Sequence, residues 1–390
     1  MIPGQGYAAE GPEEATGVHN ITFWGEPNNG DISYLLKGHF DDDDEDGDKD
    51  NNFNLVGNPY PSAINITDFF DENKSLIDET VYLWTHSTSI SEEGDFVSSD
   101  YATYNRAGGT ASSIEGVIPT DTLGSGQGFF IRAIVPGSLT FKNAMRRADQ
   151  NTIFFKPSGP IKKIDSTRKN RIWLNLKTEL GGFSQILISF SENGTDGFDK
   201  GYDAFKINSS NPISLYSINR MKKYSIQTLA SYPQNQQIKL GFKSNVAPRK
   251  MSIGIQKSQG ILETVPVLLV DHYSHLIHDL KQSDYHFDVI ENGSYQDRFS
   301  LHFSEVRLLK ERVSEATLAM SLKNQKLKFE SNSTIKNIKI YDVLGVCVSN
   351  SNPNSTTTEI KLDSSEKGKM LFVQIIFVNG EIKNKKVIVF

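Results

Sequence analysis

Ile172-Trp173-Leu174-Asn175-Leu176 and Ile186-Leu187-Ile188-Ser189-Phe190 decide the fold. Both are short runs rich in β-branched and aromatic residues, and their period of two is that of a strand. Ile238-Lys239-Leu240, Val267 to Val270 and Phe299-Ser300-Leu301-His302-Phe303 read the same way. Their flanks are turns, as at Glu192-Asn193-Gly194 and Glu291-Asn292-Gly293. Only Ile66 to Leu76, with Thr67 as its cap, and Phe303 to Leu309 resemble helices, the second of them no more than a linker. The class expected is all-β: two β-sandwich-like domains followed by a small Ig-like β-sandwich. Their boundaries fall at 1–150, 151–305 and 318–390, with Pro157 to Asn170 and Glu305 to Glu315 as connecting segments.

An internal echo supports a repeated unit in the first domain. Pro3-Gly4-Gln5-Gly6-Tyr7 returns as Ser125-Gly126-Gln127-Gly128-Phe129-Phe130, and Ile21-Thr22-Phe23 as Leu139-Thr140-Phe141. Each copy is a Gly-rich turn feeding a strand, which predicts two equivalent hairpins in one sheet system.

Charge narrows the function classes. Asp41 to Asp50 holds seven Asp, one Glu and one Lys, a charge of −7, so the other residues carry about +1 of the formal −6. The bulk is neutral and has no basic stripe, which argues against nucleic acid as a partner. No stretch approaches the roughly 20 apolar residues of a membrane-spanning helix. Met1 is followed by no secretory signal, and the first Gly-rich hairpin starts almost at residue 1; both suggest a cut through a longer precursor. Cys347 is the only cysteine, which excludes an intrachain disulfide, and its apolar neighbours predict a small buried hydrophobe.

The candidate ion sites are acidic turns. Asp42, Asp44, Asp46 and Gly47 reproduce the first half of a calcium loop, where alternating carboxylates converge around a Gly turn. The twelfth position is Phe53 rather than Glu, so the run is either a calcium site or a self-repelling loop. Asp196, Asp199 and Asp203 share a second Gly-rich turn and either hold a hard cation or cap backbone amides. His272, His275 and His278 recur every three residues, but the strand and turn around them remove the helical geometry that zinc would need. Calcium is therefore the single cofactor in view. There is no Gly-x-Ser-x-Gly elbow, phosphate loop or dinucleotide fingerprint, and no enzyme activity is expected of these residues. Trp24, Trp84 and Trp173 either stack on sugars or, the reading preferred for a β protein without disulfides, fill its cores.

The end of the chain carries a resemblance. Leu327 to Phe329, the strand and turn Ile338-Lys339-Ile340-Tyr341-Asp342-Val343-Leu344-Gly345, Thr358 to Leu362, Gly368, the Asn379-Gly380 turn and the closing Lys385-Lys386-Val387-Ile388-Val389 resemble the type A sorting domain of Bacteroidota type IX secretion cargo. Ile338, Ile340 and Val343 are expected to face a small core while Asp342 caps the turn at Gly345. The pattern departs from the family at Val346-Cys347, where a basic residue usually follows Gly345, and at Met370, where a Tyr is usual. Pro27 to Ile32, Asn54 to Ser62, Gly126 to Phe130, Asn143 to Arg146, Trp173 to Leu176, Thr195 to Ala204 and Asp297 to Phe299 resemble segments common upstream of such domains.

The resemblance implies a secreted or cell-surface protein whose partners are the type IX translocon and its attachment machinery. The last strand and the Tyr341 to Gly345 turn would do the docking. It also implies short O-glycosylation motifs at Asp121-Thr122-Leu123 and Asp165-Ser166-Thr167. The function expected is adhesion or scaffolding. The alternative is an accessory region of a polysaccharide-degrading enzyme that takes surface glycans.

Overall fold

The computed structural model describes residues 1–8, 22, 24–38, 40, 52–85, 101–113, 116–150, 169–207, 212–230, 237–247, 249–303, 318–377 and 382–389. The protein is all-β, with a single α-helix among these residues. Two compact units result: Met1–Pro233 with Gly241–Val265 and Lys281–Tyr295, and Gln234–Leu240 with Pro266–Leu280 and Gln296–Phe390.

In the first unit, the strands Phe53–Gly57, Gly128–Ala133, Ile77–Trp84, Tyr101–Asn105 and Gly108–Thr110 form one antiparallel sheet in that order. Alternation sets its buried face, as in Phe53–Gly57, where Asn54 and Val56 are buried and their neighbours half-exposed. The helix Ile66–Asn73 buries Ile66, Phe69, Phe70 and Asn73, the spacing of one helical stripe. Phe69 meets Phe129 edge-on at 5.6 Å and Phe141 at 5.2 Å in the core. The cap is Asn65, not Thr67: the Asn65 side chain accepts from Asp68 N at 3.0 Å, and this extended residue precedes the first helical turn.

The two Gly-Gln-Gly copies lie on opposite sides of one strand. Phe129 pairs with Val56 on one edge, and Gln5 bridges Val56 on the other. Gly6 is required there, because a Cβ would sit 2.7 Å from Val56 O. Of the echoed strand, Ile21 and Phe23 lie outside the described residues, while Leu139 to Phe141 pair with Ile32–Leu35.

A second sheet of this unit runs in the order Tyr285–Val289, Arg249–Gln259, Asn170–Thr178, Phe183–Phe190, Lys222–Leu229, Ile213–Asn219. Phe183–Phe190 and Lys222–Leu229 are parallel; the other neighbours on this path are antiparallel. Phe183–Phe190 is buried along its whole length, on both faces, rather than on alternate residues. One reason is a small core of Ala107, Trp173, Leu187, Ala204 and Ile226, in which Trp173 Nε1 donates to Gly109 O at 2.7 Å. Ala111 N donates to Gln185 Oε1 at 2.8 Å beside it. The compact unit thus runs through the boundary expected near residue 150.

The second unit contains the hairpin Leu268–Asp271 and Leu276–Asp279, with Leu268–Asp271 also paired to residues 299–302. Its C-terminal part is a six-stranded sheet centred on Lys326–Tyr341, a 16-residue strand. The Leu327 and Ile338 segments, expected as separate strands, are one strand with an irregularity between Glu330 and Ile335. Its first half pairs with Leu318–Lys323 and Ser355–Lys361, its second with Cys347–Ser351 and Met370–Phe377. Changing partners midway lets both halves turn Leu327, Phe329, Ile335, Ile338 and Ile340 into a core shared with Leu371, Val373, Ile375, Phe377 and Val389.

Candidate functional site

Among the described residues that carry the C-terminal resemblance, Tyr341 to Gly345 and Gly368 gather at one end of the C-terminal sheet. Tyr341 pairs with Phe372, and Phe372 with Lys386, so these three form one cross-strand row on the outward face. Asp342 closes the turn: its Oδ1 accepts from Leu344 N and Val346 N, each at 2.9 Å, and Gly345 N donates to Asp342 O at 3.1 Å. Gly345 has φ +83°, open to glycine without strain. Val343, expected in the core, is 64 % exposed, as are Leu344 at 85 % and Val346 at 58 %. Ile338 and Ile340 hold the inward positions of the alternation, so Val343, three residues beyond Ile340, falls on the outward parity of Lys339 and Tyr341 and lies in the Asp342-capped turn. Cys347 is likewise exposed rather than buried, because it opens a short strand on that outward side.

The last strand, Ile382–Ile388, pairs with Met370–Phe377, its sole neighbour in the sheet order. Lys385 and Lys386 are exposed along it, and Val387 packs on the core. Gly368, at φ +79°, lies in the turn two residues before the strand Met370–Phe377, and its N donates to Val389 O at 2.7 Å. Asn379 and Gly380 lie outside the described residues.

A second constellation, in the first unit, joins three of the upstream motifs, those at 27–32, 54–62 and 143–146, with Gly124 and Ser125. Asn58 Nδ2 donates to Ser62 O at 2.8 Å and to Gly124 O at 2.9 Å, and its Oδ1 accepts from Tyr60 N at 3.1 Å. Tyr60 OH donates to Gly30 O at 2.7 Å, and Ser125 Oγ to Tyr60 O at 2.9 Å. Arg146 lies over the Tyr60 ring at 5.4 Å and donates to Ser62 Oγ at 2.9 Å; Asn143 reaches Asn29 Oδ1 at 2.9 Å. Burial pushes the Tyr60 phenol above its ordinary pKa, Asp31 adds to this, and Arg146 opposes it. This knot fixes the Asn58 to Ser62 loop and contains no nucleophile paired with a base. The convergence of these motifs has no signature in the sequence beyond their polar, Pro- and Gly-containing composition.

The acidic turn of the first unit works inward. Thr195 N and Oγ1 donate to Asp199, while Asp203 accepts from Asp199 N at 2.8 Å and Thr228 N at 2.6 Å. Asp196 takes part through its backbone, its carbonyl accepting from Asn219 Nδ2 at 3.0 Å. Among the described residues no three His, Cys, Asp or Glu side chains are gathered as a metal site, so Asp196, Asp199 and Asp203 form none. The physical reason is that the oxygens of Asp199 and Asp203 are committed to three backbone amides and the Thr195 hydroxyl. Asp42, Asp44 and Asp46 lie outside the described residues, as do Asp165 to Thr167. Thr122 is buried, and its hydroxyl donates to Gln150 Oε1 at 2.5 Å, so it is not presented to solvent as an acceptor for sugar.

The first unit also has an open pocket of about 440 Å³, lined among others by Arg106, Lys169, Glu192, Asn193 and Tyr202. Lys169 Nζ donates to Arg106 O at 3.3 Å and Asn193 Nδ2 to Tyr202 OH at 2.9 Å. Of the tryptophans, Trp173 is buried in the core, Trp84 is 40 % exposed and Trp24 92 % exposed. Among the described residues no helix is long and apolar enough to cross a membrane.

No curated protein matches the chain. Among solved structures, a chain named "Biofilm associated protein - BSP domain" is 6 % identical over 97 % of this chain and 99 % of that one, with a TM-score of 0.16, a likeness too slight to bear on fold or function. Residues 309–389 match a family described as Domain of unknown function (DUF8694). Residues 1–303 match the family described as Domain of unknown function (DUF8693), and the chain belongs to that family.

Proposed function

We propose that the chain is secreted or cell-surface cargo of a Bacteroidota type IX secretion system, with residues 318–390 as its sorting and attachment signal and the upstream β structure acting in adhesion or as a scaffold. The observation that carries this reading is the Asp342-capped turn, which holds Val343, Leu344 and Val346 out in water. Apolar side chains presented on a fixed turn gain free energy once a partner covers them. The row Tyr341, Phe372, Lys386 and the exposed Lys385 extend that surface to a basic sheet edge. Recognition here is docking of a folded module, with no covalent step assigned to any side chain. The upstream knot around Asn58 and Tyr60 suits a rigid spacer, because its buried polar groups are turned toward one another.

The test fuses residues 309–390 to a neutral reporter in a host with the secretion system. Reporter at the cell surface or in the medium is expected; retention in the periplasm would sink the reading.

The pocket beside Tyr202 favours a second reading, glycan binding by the upstream region, since it offers a carboxylate, an amide, an ammonium group and a ring within one concavity. A glycan array probed with the full chain and with Glu192→Gln decides it: a signal lost in the variant supports the reading, and no binding to any cell-wall or algal glycan counts against it.

A further inference from the structure

The hairpin register of the second unit brings together two histidines that lie thirty residues apart in sequence. Val270 pairs with Ser300 and Leu268 with His302, and His272 N donates to Arg298 O at 2.8 Å just beyond them. Alternation puts Ser300 and His302 on the face that carries Val270, and His272 continues that face into the turn. The result is that Ser300 Oγ lies 2.9 Å from His272 Nε2 and 2.9 Å from His302 Nε2. Ser300 is buried and both imidazoles are half-buried. A hydroxyl has one hydrogen, so it donates to one ring while the other ring must donate to it. Two imidazole nitrogens aimed at one point is also the arrangement by which a d-block ion is held.

We propose that His272 and His302 bind a divalent transition-metal ion, zinc or copper, through their Nε2 atoms, with Ser300 Oγ beneath it and the remaining positions open to water. Imidazole nitrogen suits these ions, with bonds of about 2.0–2.1 Å for zinc, and copper(II) binds a given nitrogen site more tightly than zinc. Small side-chain rotations that release the two hydrogen bonds to Ser300 would bring both nitrogens onto the ion. The neighbouring carboxylate does not compete. Asp271 is held by Arg298 Nη2 at 3.1 Å and accepts from Tyr273 N at 2.9 Å. His275 and His278, the partners suggested by spacing, take no part: His275 is exposed in the turn at φ +55°, and His278 pairs with Leu269, the residue facing opposite to Val270. A metal held this way ties the turn after Leu268–Asp271 to the strand at 299–302 and stabilises this unit by mass action. The proposal is independent of the export reading.

The test titrates the full chain, stripped with EDTA, with CuCl2 and ZnCl2 by calorimetry, and records the electron paramagnetic resonance spectrum of the copper form. One equivalent of copper is expected, with coupling to two nitrogens, and zinc is expected to bind more weakly at the same site. His272→Gln and His302→Gln should each weaken copper at least tenfold and remove the two-nitrogen pattern, while His286→Gln leaves both unchanged. Should His302→Gln fail to fold by circular dichroism, His272→Gln decides alone, since that side chain sits at the turn. Copper binding unaltered in His272→Gln, or no one-equivalent binding below 100 µM, a threshold set on the order of what two imidazoles supply, would overturn the site.

Discussion

Asp203 and Asp342 do the same local work in opposite surroundings. Each carboxylate holds two backbone N–H groups: Asp203 those of Asp199 and Thr228, Asp342 those of Leu344 and Val346. Asp203 is sealed, 0 % exposed, and ties the 195–203 turn to the strand Lys222–Leu229. Asp342 stands half-exposed and pushes apolar side chains outward. One motif therefore builds the interior of the first unit and shapes the surface of the second. The difference lies in what the fold packs over the carboxylate, and four measurements bear on it.

The largest effect is expected at the sealed carboxylate. Asp203→Ala leaves Thr228 N and Asp199 N without their acceptor, the first of them deep in the unit. Orphaning buried donors costs about 1–3 kcal/mol each. A loss of about 4 kcal/mol is expected in urea unfolding followed by fluorescence; a loss below 1 kcal/mol would mean that water reaches these amides.

The second effect is a pH dependence. Burial pushes the Asp203 carboxyl up to about 7, against the pull of its two amide donors. The folded state therefore keeps its proton from about pH 4 to about pH 7 while the unfolded state loses it. The unfolded chain binds fewer protons in that window, so stability falls as pH rises through it and levels off above it. Denaturation at pH 4.5, 5.5, 6.5 and 7.5 should show this fall in the native chain and a flatter profile in Asp203→Asn. A slope shared by both proteins would assign the titration to other groups.

Much of this contrast was legible in the residues. Asp and Gly within a few positions of each other announced both turns, and period two announced the strands at 172–176, 186–190 and 299–302, all present. What the pattern does not contain is the second layer. Phe183–Phe190 carries Ser184, Gln185 and Ser189 among apolar residues, and all three are buried, on both faces of the strand. Val343 and Cys347 read as core from their apolar neighbours and stand outside, since Val343 has the outward parity of Lys339 and Tyr341 and Cys347 opens the short strand that leaves the Asp342 turn. The convergence of His272 with His302, and of Asn29 with Tyr60 and Arg146, depends on register between distant strands and loops. Residue types give no register across thirty or more positions.

A smaller effect is expected at the outward carboxylate. Asp342→Ala removes two amide acceptors at a turn that water reaches, where solvent replaces part of the loss. About 1 kcal/mol is expected, read from the thermal midpoint of the C-terminal module. Asp342→Asn keeps an oxygen that accepts from Leu344 N or Val346 N and should recover more than half. If Asn behaves like Ala, charge rather than hydrogen bonding fixes the turn.

The smallest effect on stability carries the sharpest contrast in function. Val343 and Leu344 lie 64 % and 85 % exposed, outside the core formed by Ile338, Ile340 and Val373. Replacing both by Ser removes no buried contact, and a change within about 0.5 kcal/mol is expected, the range of ordinary surface substitutions. If the turn is the docking surface, the same double variant should lose most of the export of a reporter fusion, because the covering of those two side chains was the gain on binding. The comparison with Asp203→Ala then separates the roles: that change is expected to destabilise the first unit and leave the proposed C-terminal signal intact. Export unimpaired in the double Ser variant would move the docking surface to the Lys385-Lys386 edge, to be tested by Glu at both positions.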